Sequence, residues 1–151
     1  MKKIIIAIDS FKGCLTSAEA GKAAEKGIKS INPSCHTSVI PIADGGEGLL
    51  DVLITATKGK YITLSAHGPL MKMAKTHYGL SGNGRTAIIE MAAISGLPLV
   101  PIEQRNPMLT TTFGTGELIK DALNKGCRNF IIGIGGSATN DAGLGMLQAL
   151  G

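Results

Sequence analysis

Residues 131–145 decide the fold, and they read Ile131-Ile132-Gly133-Ile134-Gly135-Gly136-Ser137-Ala138-Thr139-Asn140-Asp141-Ala142-Gly143-Leu144-Gly145. The apolar, β-branched start of this stretch predicts a buried strand. Two adjacent glycines then allow a tight turn and a close approach of the backbone to a ligand. Several good N-cap residues follow, so a helix is expected to begin at Ser137, Thr139, Asn140 or Asp141.

This turn has two interpretations. The N-terminus of a helix presents unpaired N–H groups and the positive end of the helix dipole, which suit a phosphate or a carboxylate. On this interpretation the phosphate- or nucleotide-binding residues are Gly135, Gly136, Ser137, Thr139, Asn140 and Asp141. The alternative is an ordinary strand-to-helix turn of an α/β protein. The glycine spacing matches neither the P-loop nor the dinucleotide-binding pattern, so neither of those sites is supported.

The same order of strand, polar turn and helix opens the chain. Residues 4–8 form a continuous apolar run, typical of a strand that is buried on both faces. A helix is expected to begin at Thr16 or Ser17 and to stop at Asn32-Pro33, and residues 37–42 predict a second strand. Because a helical crossover joins parallel strands, this unit predicts a parallel sheet.

Polar residues directly follow the first strand. In a parallel sheet, the residues just past the carboxyl end of a strand face the ligand crevice, which places Asp9, Ser10 and Lys12 well for binding. Lys12 could meet a phosphate as a point charge. The alternative is an ordinary solvated lysine in a surface loop.

Two carboxylates, Asp44 and Glu47, flank Gly45-Gly46 after the second strand, where another helix is expected to start. Three residues apart at the start of a helix, they would share one face. They could hold Mg²⁺ through oxygen ligands, or one of them could accept a proton from a substrate hydroxyl. The alternative is a capping box formed by the same pair. We interpret Asp44 as functional and leave both interpretations open for Glu47.

The middle of the chain departs from this alternation of strand, polar turn and helix. Residues 60–66, 74–80 and 86–90 predict successive strands with little helix between them, which indicates a second or inserted subdomain beginning near residue 66. Within it, Arg105 could clamp an anionic substrate, although a lone arginine is more often a surface residue. Thr115 and Gly116 lie at another glycine-rich start of a helix and are further candidates for phosphate or nucleotide binding.

Length and composition narrow the function classes. With 151 residues, 21 glycines and 3% aromatic residues, the chain favours a globular α/β enzyme. The net charge of +4 comes from scattered lysines, with few aromatic rings to stack on bases, so nucleic-acid binding is not expected. No apolar run approaches the roughly 20 residues of a membrane span, and Asp9 ends the first run too early for a signal peptide. The three cysteines fit thiols in a reducing cytoplasm.

Four motifs stand in order along the chain: Asp9-Ser10-Phe11-Lys12-Gly13, Ala43-Asp44-Gly45-Gly46-Glu47-Gly48, Arg105-Asn106-Pro107 through Thr112-Phe113-Gly114-Thr115-Gly116-Glu117-Leu118, and Gly133-Ile134-Gly135-Gly136-Ser137-Ala138-Thr139-Asn140-Asp141. With Ile89-Glu90-Met91-Ala92-Ala93, they make the chain resemble the bacterial type-1 glycerate kinases. The resemblance covers essentially the whole chain. Two mild departures are Ala142, where glycine is often expected, and Cys14, where serine is common.

The resemblance implies ATP-dependent phosphorylation of glycerate, usually to 2-phosphoglycerate, in the cytoplasm with ATP and Mg²⁺. It also implies a flavodoxin-like parallel sheet with helices on both faces and a second α/β domain inserted into it. We assign residues 1–65 to the first part of the flavodoxin-like domain and residues 66–151 to part of the inserted domain. Asp44 and Lys12 are then the catalytic candidates, with Asp44 also a candidate Mg²⁺ ligand. The substrate-binding candidates are Asp9, Ser10, Arg105 and Glu47.

Length is the larger departure, because members of this family continue well past the point at which this chain stops. We therefore expect the chain to be the N-terminal part of such a kinase, and to be inactive on its own. Uncovered apolar faces would favour a homo-oligomer. Two alternatives stay open: an inactive remnant or ligand-binding α/β module that binds phosphate or nucleotide, and a nucleotide-binding domain unrelated to kinases.

Overall fold

The structure, a computed structural model, describes residues 3–151. Its elements, in chain order, are β1 (Lys3–Ile8), α1 (Ser17–Ile31), β2 (His36–Pro41), α2 (Leu49–Thr57), β3 (Lys60–His67), β4 (Met73–Leu80), β5 (Thr86–Glu90), α3 (Ala92–Ser95), α4 (Phe113–Asn124), β6 (Asn129–Gly133) and α5 (Leu144–Leu150). Two single-turn 3-10 helices, Leu97–Leu99 and Ile102–Gln104, lie between α3 and α4. The predicted α/β class is confirmed.

The first unit is β1–α1–β2, with β1 and β2 paired in parallel from Lys3↔His36 to Ile8↔Pro41. A capping box sets the start of α1: the Thr16 hydroxyl accepts the Glu19 N–H at 3.2 Å, and the Glu19 carboxylate accepts the Thr16 N–H at 2.9 Å. The helix lies close to β2, because a Cβ on Gly21 would stand 2.3 Å from Val39 Cγ1. The predicted strand–helix–strand unit is confirmed.

The second sheet has the order β3-β4-β5-β6. β3 pairs antiparallel with β4 and β4 antiparallel with β5, whereas β5 and β6 are parallel. The sheet is therefore mixed, which agrees with the predicted run of successive strands with little helix between them in the middle of the chain. At the end of β3, the His67 N–H and ring Nδ1 contact the two oxygens of the Glu117 carboxylate, at 2.7 and 2.9 Å, and fix this strand to α4.

Helices cover this sheet on both faces. Successive residues of β5 point to opposite sides of the sheet, and each side packs against a different helix. Ala87 and Ile89 pack with Leu118 of α4 in the larger core cluster. Ile88 packs with Leu50 and Ile54 of α2 in the smaller one. The strand is thus buried on both faces, as its uninterrupted apolar run predicts.

The division into residues 1–65 and 66–151 stays a prediction. Position 65/66 falls within β3, which pairs with β4 from Lys60↔Leu80 to His67↔Met73. Over residues 3–151, none of the helices has the length and apolar character that crossing a membrane requires.

Candidate functional site

A cleft of about 1450 Å³ opens where β1, β2 and β6 end. The turns that follow these three strands supply its polar lining, as expected for the carboxyl ends of parallel strands. The candidates that it brings together are Ser10, Lys12, Asp44, Glu47, Gly135 and Gly136. Residues from three distant parts of the sequence therefore share one surface.

Lys12 is presented by a small closed turn. The backbone of Phe11 pairs with that of Leu15, with both N–H groups donating across the turn at 2.9 and 3.0 Å. Gly13 has a φ of 71°, which lets the chain reverse within three residues. The side chain of Lys12 is exposed. Lys12 is also the one Lys or Arg in the cleft lining of the described chain.

The turn after β2 differs from the predicted start of a helix. α2 begins at Leu49 with Gly48 as its N-cap, a residue with no side chain to cap the helix, so Glu47 lies before the helix. The prediction that Glu47 belongs to the first helical turn is therefore wrong, and so is the capping box. The Asp44 carboxylate instead accepts the Gly46 N–H at 3.1 Å and stabilises the turn itself. Both carboxylates are exposed on the cleft.

Glu90 caps α2 from forty residues away. Its carboxylate accepts the Leu50 N–H at 3.3 Å, and its side chain lines the cleft although the residue is only 9% exposed. Burial raises the pKa of Glu90, while hydrogen bonds from the backbone of Leu50 and Gly48 lower it in part and the nearby Asp51 and Glu47 add to the rise. Glu90 was missed as a site residue, although an acid at the carboxyl end of a buried strand is close to the signal that pointed to Asp9.

The two glycine-rich turns press against each other, backbone to backbone. The Gly135 N–H donates to the Gly45 carbonyl at 3.2 Å. A Cβ on Gly135 would stand 2.6 Å from Gly46 Cα, and one on Gly133 would stand 2.6 Å from the Gly45 carbonyl oxygen. Glycine at these positions therefore allows the turn after β6 to approach the turn after β2.

Asp141 is a hydrogen-bond hub, and it sets the start of α5. Its carboxylate accepts the Thr112 N–H and hydroxyl, both at 2.8 Å, and the N–H groups of Gly143 at 3.0 Å and Gly145 at 3.1 Å. α5 begins only at Leu144, so the predicted start between Ser137 and Asp141 is wrong. The chain's own carboxylate already occupies the donors that were expected for a bound anion.

The pKa of Asp141 follows from these contacts. Burial would raise the pKa, but the hydrogen bonds from Thr112, Gly143 and Gly145 stabilise the charged form and bring it below its usual range. Asp141 is therefore ionised, and its carboxylate accepts hydrogen bonds from N–H groups at the start of α5.

The hydroxyl groups of the two threonine- and serine-rich motifs also make hydrogen bonds within the protein, and none of these side chains lines the cleft. Thr115 is buried inside α4, 2.9 Å from the Ser95 hydroxyl, and Gly116 lies under α5. The Thr139 hydroxyl donates to the Thr110 carbonyl at 2.7 Å, and the Ser137 hydroxyl to the Thr139 carbonyl at 3.2 Å. Of the proposed phosphate ligands, only Gly135 and Gly136 line the cleft.

Three further candidates lie outside the residues that line the cleft. The Asp9 carboxylate accepts the Ser10 N–H at 2.6 Å. The Arg105 guanidinium folds back and donates to the Val100 carbonyl at 3.3 Å. Asn140 is exposed, and its N–H donates to the Pro107 carbonyl at 3.0 Å.

The charge of the cleft determines which ligands fit it. Its carboxylates belong to Glu19, Asp44, Glu47, Asp51 and Glu90, and they face a single lysine. A bare polyphosphate would be repelled by this lining, whereas a phosphate that carries a divalent cation would not. Among residues 3–151 there is no group of three or more His, Cys, Asp or Glu side chains that could hold a metal alone. A cation here would need ligand oxygens besides those of the protein.

Comparisons with known proteins identify relatives that are named as glycerate kinases. The glycerate kinase of Haemophilus influenzae is 58% identical over 99% of this chain, and that of Bacillus subtilis is 56% identical over the same share. A glycerate 2-kinase of Escherichia coli is 53% identical. The chain spans about two-fifths of the length of each.

A solved structure shares the fold. The crystal structure of a candidate glycerate kinase 2 from Salmonella typhimurium LT2 matches all of this chain with a TM-score of 0.83 and 50% sequence identity, and the chain covers 41% of it. The family model for the glycerate kinases matches residues 4–151. The chain belongs to the glycerate kinase family.

Proposed function

We propose that the chain forms part of an ATP-dependent kinase that phosphorylates glycerate to 2-phosphoglycerate. The observation that carries the proposal is the match to the glycerate kinase family over residues 4–151, in a chain whose polar turns converge on one cleft. The name of the Escherichia coli relative, a glycerate 2-kinase, supports phosphorylation at the 2-position. Because relatives are about two and a half times as long, the activity is proposed for the whole protein.

Phosphoryl transfer depends mainly on positioning and on charge stabilisation. In our proposal Lys12 supplies positive charge to the transferred phosphate, and the backbone of Gly136, with the half-buried Gly135 beside it on the cleft, lies against its oxygens. Asp44 accepts the proton of the attacking glycerate hydroxyl or binds the cation. Ser10 and Glu47, on the same cleft, contact the substrate.

Mg²⁺ and ATP fit this lining. Mg²⁺ is commonly bound by one or two carboxylates together with phosphate oxygens, and Asp44 and Glu47 offer two exposed carboxylates on the cleft. Bound there, Mg²⁺ would offset the negative charge of the nucleotide phosphates and of the acidic lining.

For the residues outside the cleft we propose supporting roles. Asp141, Thr139 and Ser137 hold the turn after β6 in place through the hydrogen bonds described above. Thr115 joins α4 to Ser95 of α3, and Gly116 allows α5 to approach α4. Asp9 stabilises the turn that carries Ser10. Arg105 would need to leave the Val100 carbonyl before it could bind the glycerate carboxylate.

The proposal is tested with a chimera in which this chain replaces the matching part of the Haemophilus influenzae relative. A coupled assay for ADP should show ATP consumption that depends on glycerate, and ³¹P NMR should identify the phosphorylated position. The chain alone should be inactive in the same assay. A folded chimera that binds nucleotide without turnover would support the ligand-binding alternative instead.

Two wider properties belong to the same proposal. We place the protein in the cytoplasm, with Cys14 and Cys127 as thiols and no nucleic-acid partner. A homo-oligomer is compatible with the exposed apolar residues of the chain. Size-exclusion chromatography with light scattering measures the oligomeric state directly.

A further inference from the structure

Glu90 differs from the other acidic residues of the cleft in its burial. It is only 9% exposed, whereas the other acids of the described lining are exposed, namely Glu19, Asp44, Glu47 and Asp51. Water can satisfy the oxygens of the exposed acids when no ligand is bound. The Glu90 oxygens have little access to water, so a missing hydrogen-bond partner is more unfavourable here than elsewhere on the cleft.

Glu90 is also bonded to the two elements next to the glycine-rich turns. Its backbone pairs with Gly133 at the end of β6, two residues before Gly135. Its carboxyl group accepts the N–H of Leu50 in the first turn of α2, which directly follows the turn that carries Asp44. Glu90 therefore lies close to the turns that hold the transferred phosphate and the attacking hydroxyl in the proposed function.

The residues beside Glu90 leave room for a compact ligand. Ala92 and Ala93 line the cleft together with Gly136. A Cβ on Gly136 would stand 3.2 Å from the Ala92 Cβ, so these walls are close to each other. No side chain longer than a methyl group projects from these three positions, which suits a three-carbon acid.

The carboxyl group of Glu90 can accept more hydrogen bonds than the protein supplies. Two carboxylate oxygens offer about four lone-pair sites. The backbone N–H groups of Leu50 and Gly48 donate to this group. Because the side chain lines the cleft, a ligand can donate to the remaining sites. The donors of glycerate are its two hydroxyl groups, since its carboxylate only accepts.

We propose that Glu90 accepts a hydrogen bond from the 3-hydroxyl of glycerate, the hydroxyl that is not phosphorylated, and thereby selects glycerate over acids that lack this group. The inference rests on the proposed function and deepens it by naming a residue that determines substrate specificity. A site built to hydrogen-bond a substrate hydroxyl rejects the analogue without it, because the buried polar group is then left unpaired.

Two other donors compete for the same oxygens. A ribose hydroxyl of ATP would make Glu90 part of the nucleotide site, and the attacking 2-hydroxyl would make Glu90 the base. The ribose is separated from the transferred phosphate by two further phosphates, whereas Glu90 is bonded to the elements beside both glycine-rich turns. Asp44 already has the role of base in the proposed function. Both alternatives are outcomes of the test.

The test compares glycerate with lactate of the same configuration at carbon 2, using the chimera described above. Lactate carries the 2-hydroxyl but lacks the 3-hydroxyl. The kcat/KM of the unmodified chimera should be at least about 100-fold higher for glycerate than for lactate. Glu90→Met, which has a similar length and no acceptor oxygen, should reduce this preference at least about tenfold. Its kcat/KM for lactate should stay the same or rise, because no buried carboxyl group is left unpaired.

The preference separates specificity from stability. The same folded molecules turn over both acids, so a loss of folded enzyme cancels in the ratio. Asp51→Asn is the matched control, because Asp51 is an exposed acid of the cleft at the start of α2 that accepts the Tyr61 hydroxyl at 2.5 Å. It should keep the preference of the unmodified chimera. Glu90→Gln, which keeps an oxygen for the Leu50 N–H, should retain more of the preference than Glu90→Met.

A fall in kcat/KM by the same factor for both acids in Glu90→Met would show a structural or basic role and would overturn the proposal. A change confined to the KM for ATP would also overturn it. Calorimetric titration with each acid measures the preference without turnover. An unmodified chimera that binds glycerate more tightly than lactate but does not phosphorylate it would contradict the proposed function and support the role of Glu90. A chimera without any preference for glycerate in either measurement would overturn that role.

Discussion

Replacing Gly135 by alanine should separate the two glycine-rich turns. The new Cβ would lie 2.6 Å from Gly46 Cα and 3.2 Å from Gly46 N. Carbon atoms in contact prefer about 3.5–4.0 Å, so the turns would have to move apart by about 1 Å. Both opposing atoms belong to the backbone, so no side-chain rotation can relieve the contact.

The cost of this change follows from two effects. Forcing an extra carbon into a packed contact costs about 1–3 kcal/mol. Loss of the hydrogen bond from the Gly135 N–H to the Gly45 carbonyl adds about 0.5–1.5 kcal/mol. We expect the free energy of unfolding to fall by about 2–4 kcal/mol, a large part of the ~5–15 kcal/mol that a domain typically has.

Urea unfolding followed by circular dichroism measures this loss, with two glycine variants as controls. Gly46→Ala changes the other side of the same contact. Its Cβ would be 3.7 Å from Gly135 Cα and 3.2 Å from the Asp44 Oδ1, a side-chain atom that can shift by a few tenths of an ångström, so it should cost less than about 1 kcal/mol. Gly27→Ala, in α1 with open space around it, should stabilise by about 0.5–1 kcal/mol. If Gly135→Ala unfolds at the same urea concentration as Gly46→Ala, the turns are not in contact.

Four further predictions follow from the site. Asp141→Ala leaves the buried Thr112 and the start of α5 without an acceptor and should cost about 2–4 kcal/mol in urea unfolding, whereas Asn140→Ala should stay within about 0.5 kcal/mol. Burial raises the pKa of Glu90 above its ordinary value of 4.5, so the contribution of Glu90 to stability is full below pH 4.5 and is lost as the pH rises through the raised pKa. Glu90→Gln should remove that part of the pH dependence in thermal melts. An unchanged pH profile would contradict this prediction. In the chimera, Asp44→Asn should lower turnover by about 10²–10⁴-fold if Asp44 acts as the base. Its melting temperature should stay close to that of the unmodified chimera. If stability instead collapses while turnover per folded molecule stays normal, Asp44 only stabilises the turn. Lys12→Ala should weaken ATP binding in calorimetric titration about tenfold, equivalent to about 1.4 kcal/mol, and unchanged affinity would return Lys12 to the role of a solvated surface lysine.

Local chemistry predicted most of the secondary structure. The capping pair Thr16 and Glu19 fixes the start of α1 through contacts only three residues apart. Apolar runs predicted β1, β2, β5 and β6 within one or two residues. Such features depend on neighbours in the sequence, so they can be recognised without knowing the fold.

The site depends on contacts that the sequence does not display. The Asp141 carboxylate accepts the Thr112 N–H from a residue 29 positions earlier, a partner that the sequence pattern does not display. Glu90 accepts an N–H at the start of a helix forty residues before it, whereas the sequence offered Asp44 and Glu47 as a capping box only as an alternative interpretation. Thr115 lies in the first turn of α4, as expected, but its hydroxyl faces the Ser95 hydroxyl, twenty residues earlier in the chain. In each case a distant partner, set by the packing of strands, decides the role of the residue.

The most direct test of the proposed function is the initial rate of ADP formation by the chimera, measured with and without glycerate. We predict ADP formation that requires glycerate, at a rate on the order of 1–100 per second, with 2-phosphoglycerate as the product. A folded chimera that hydrolyses ATP equally well without glycerate, or that forms no phosphorylated glycerate, would contradict the proposed function.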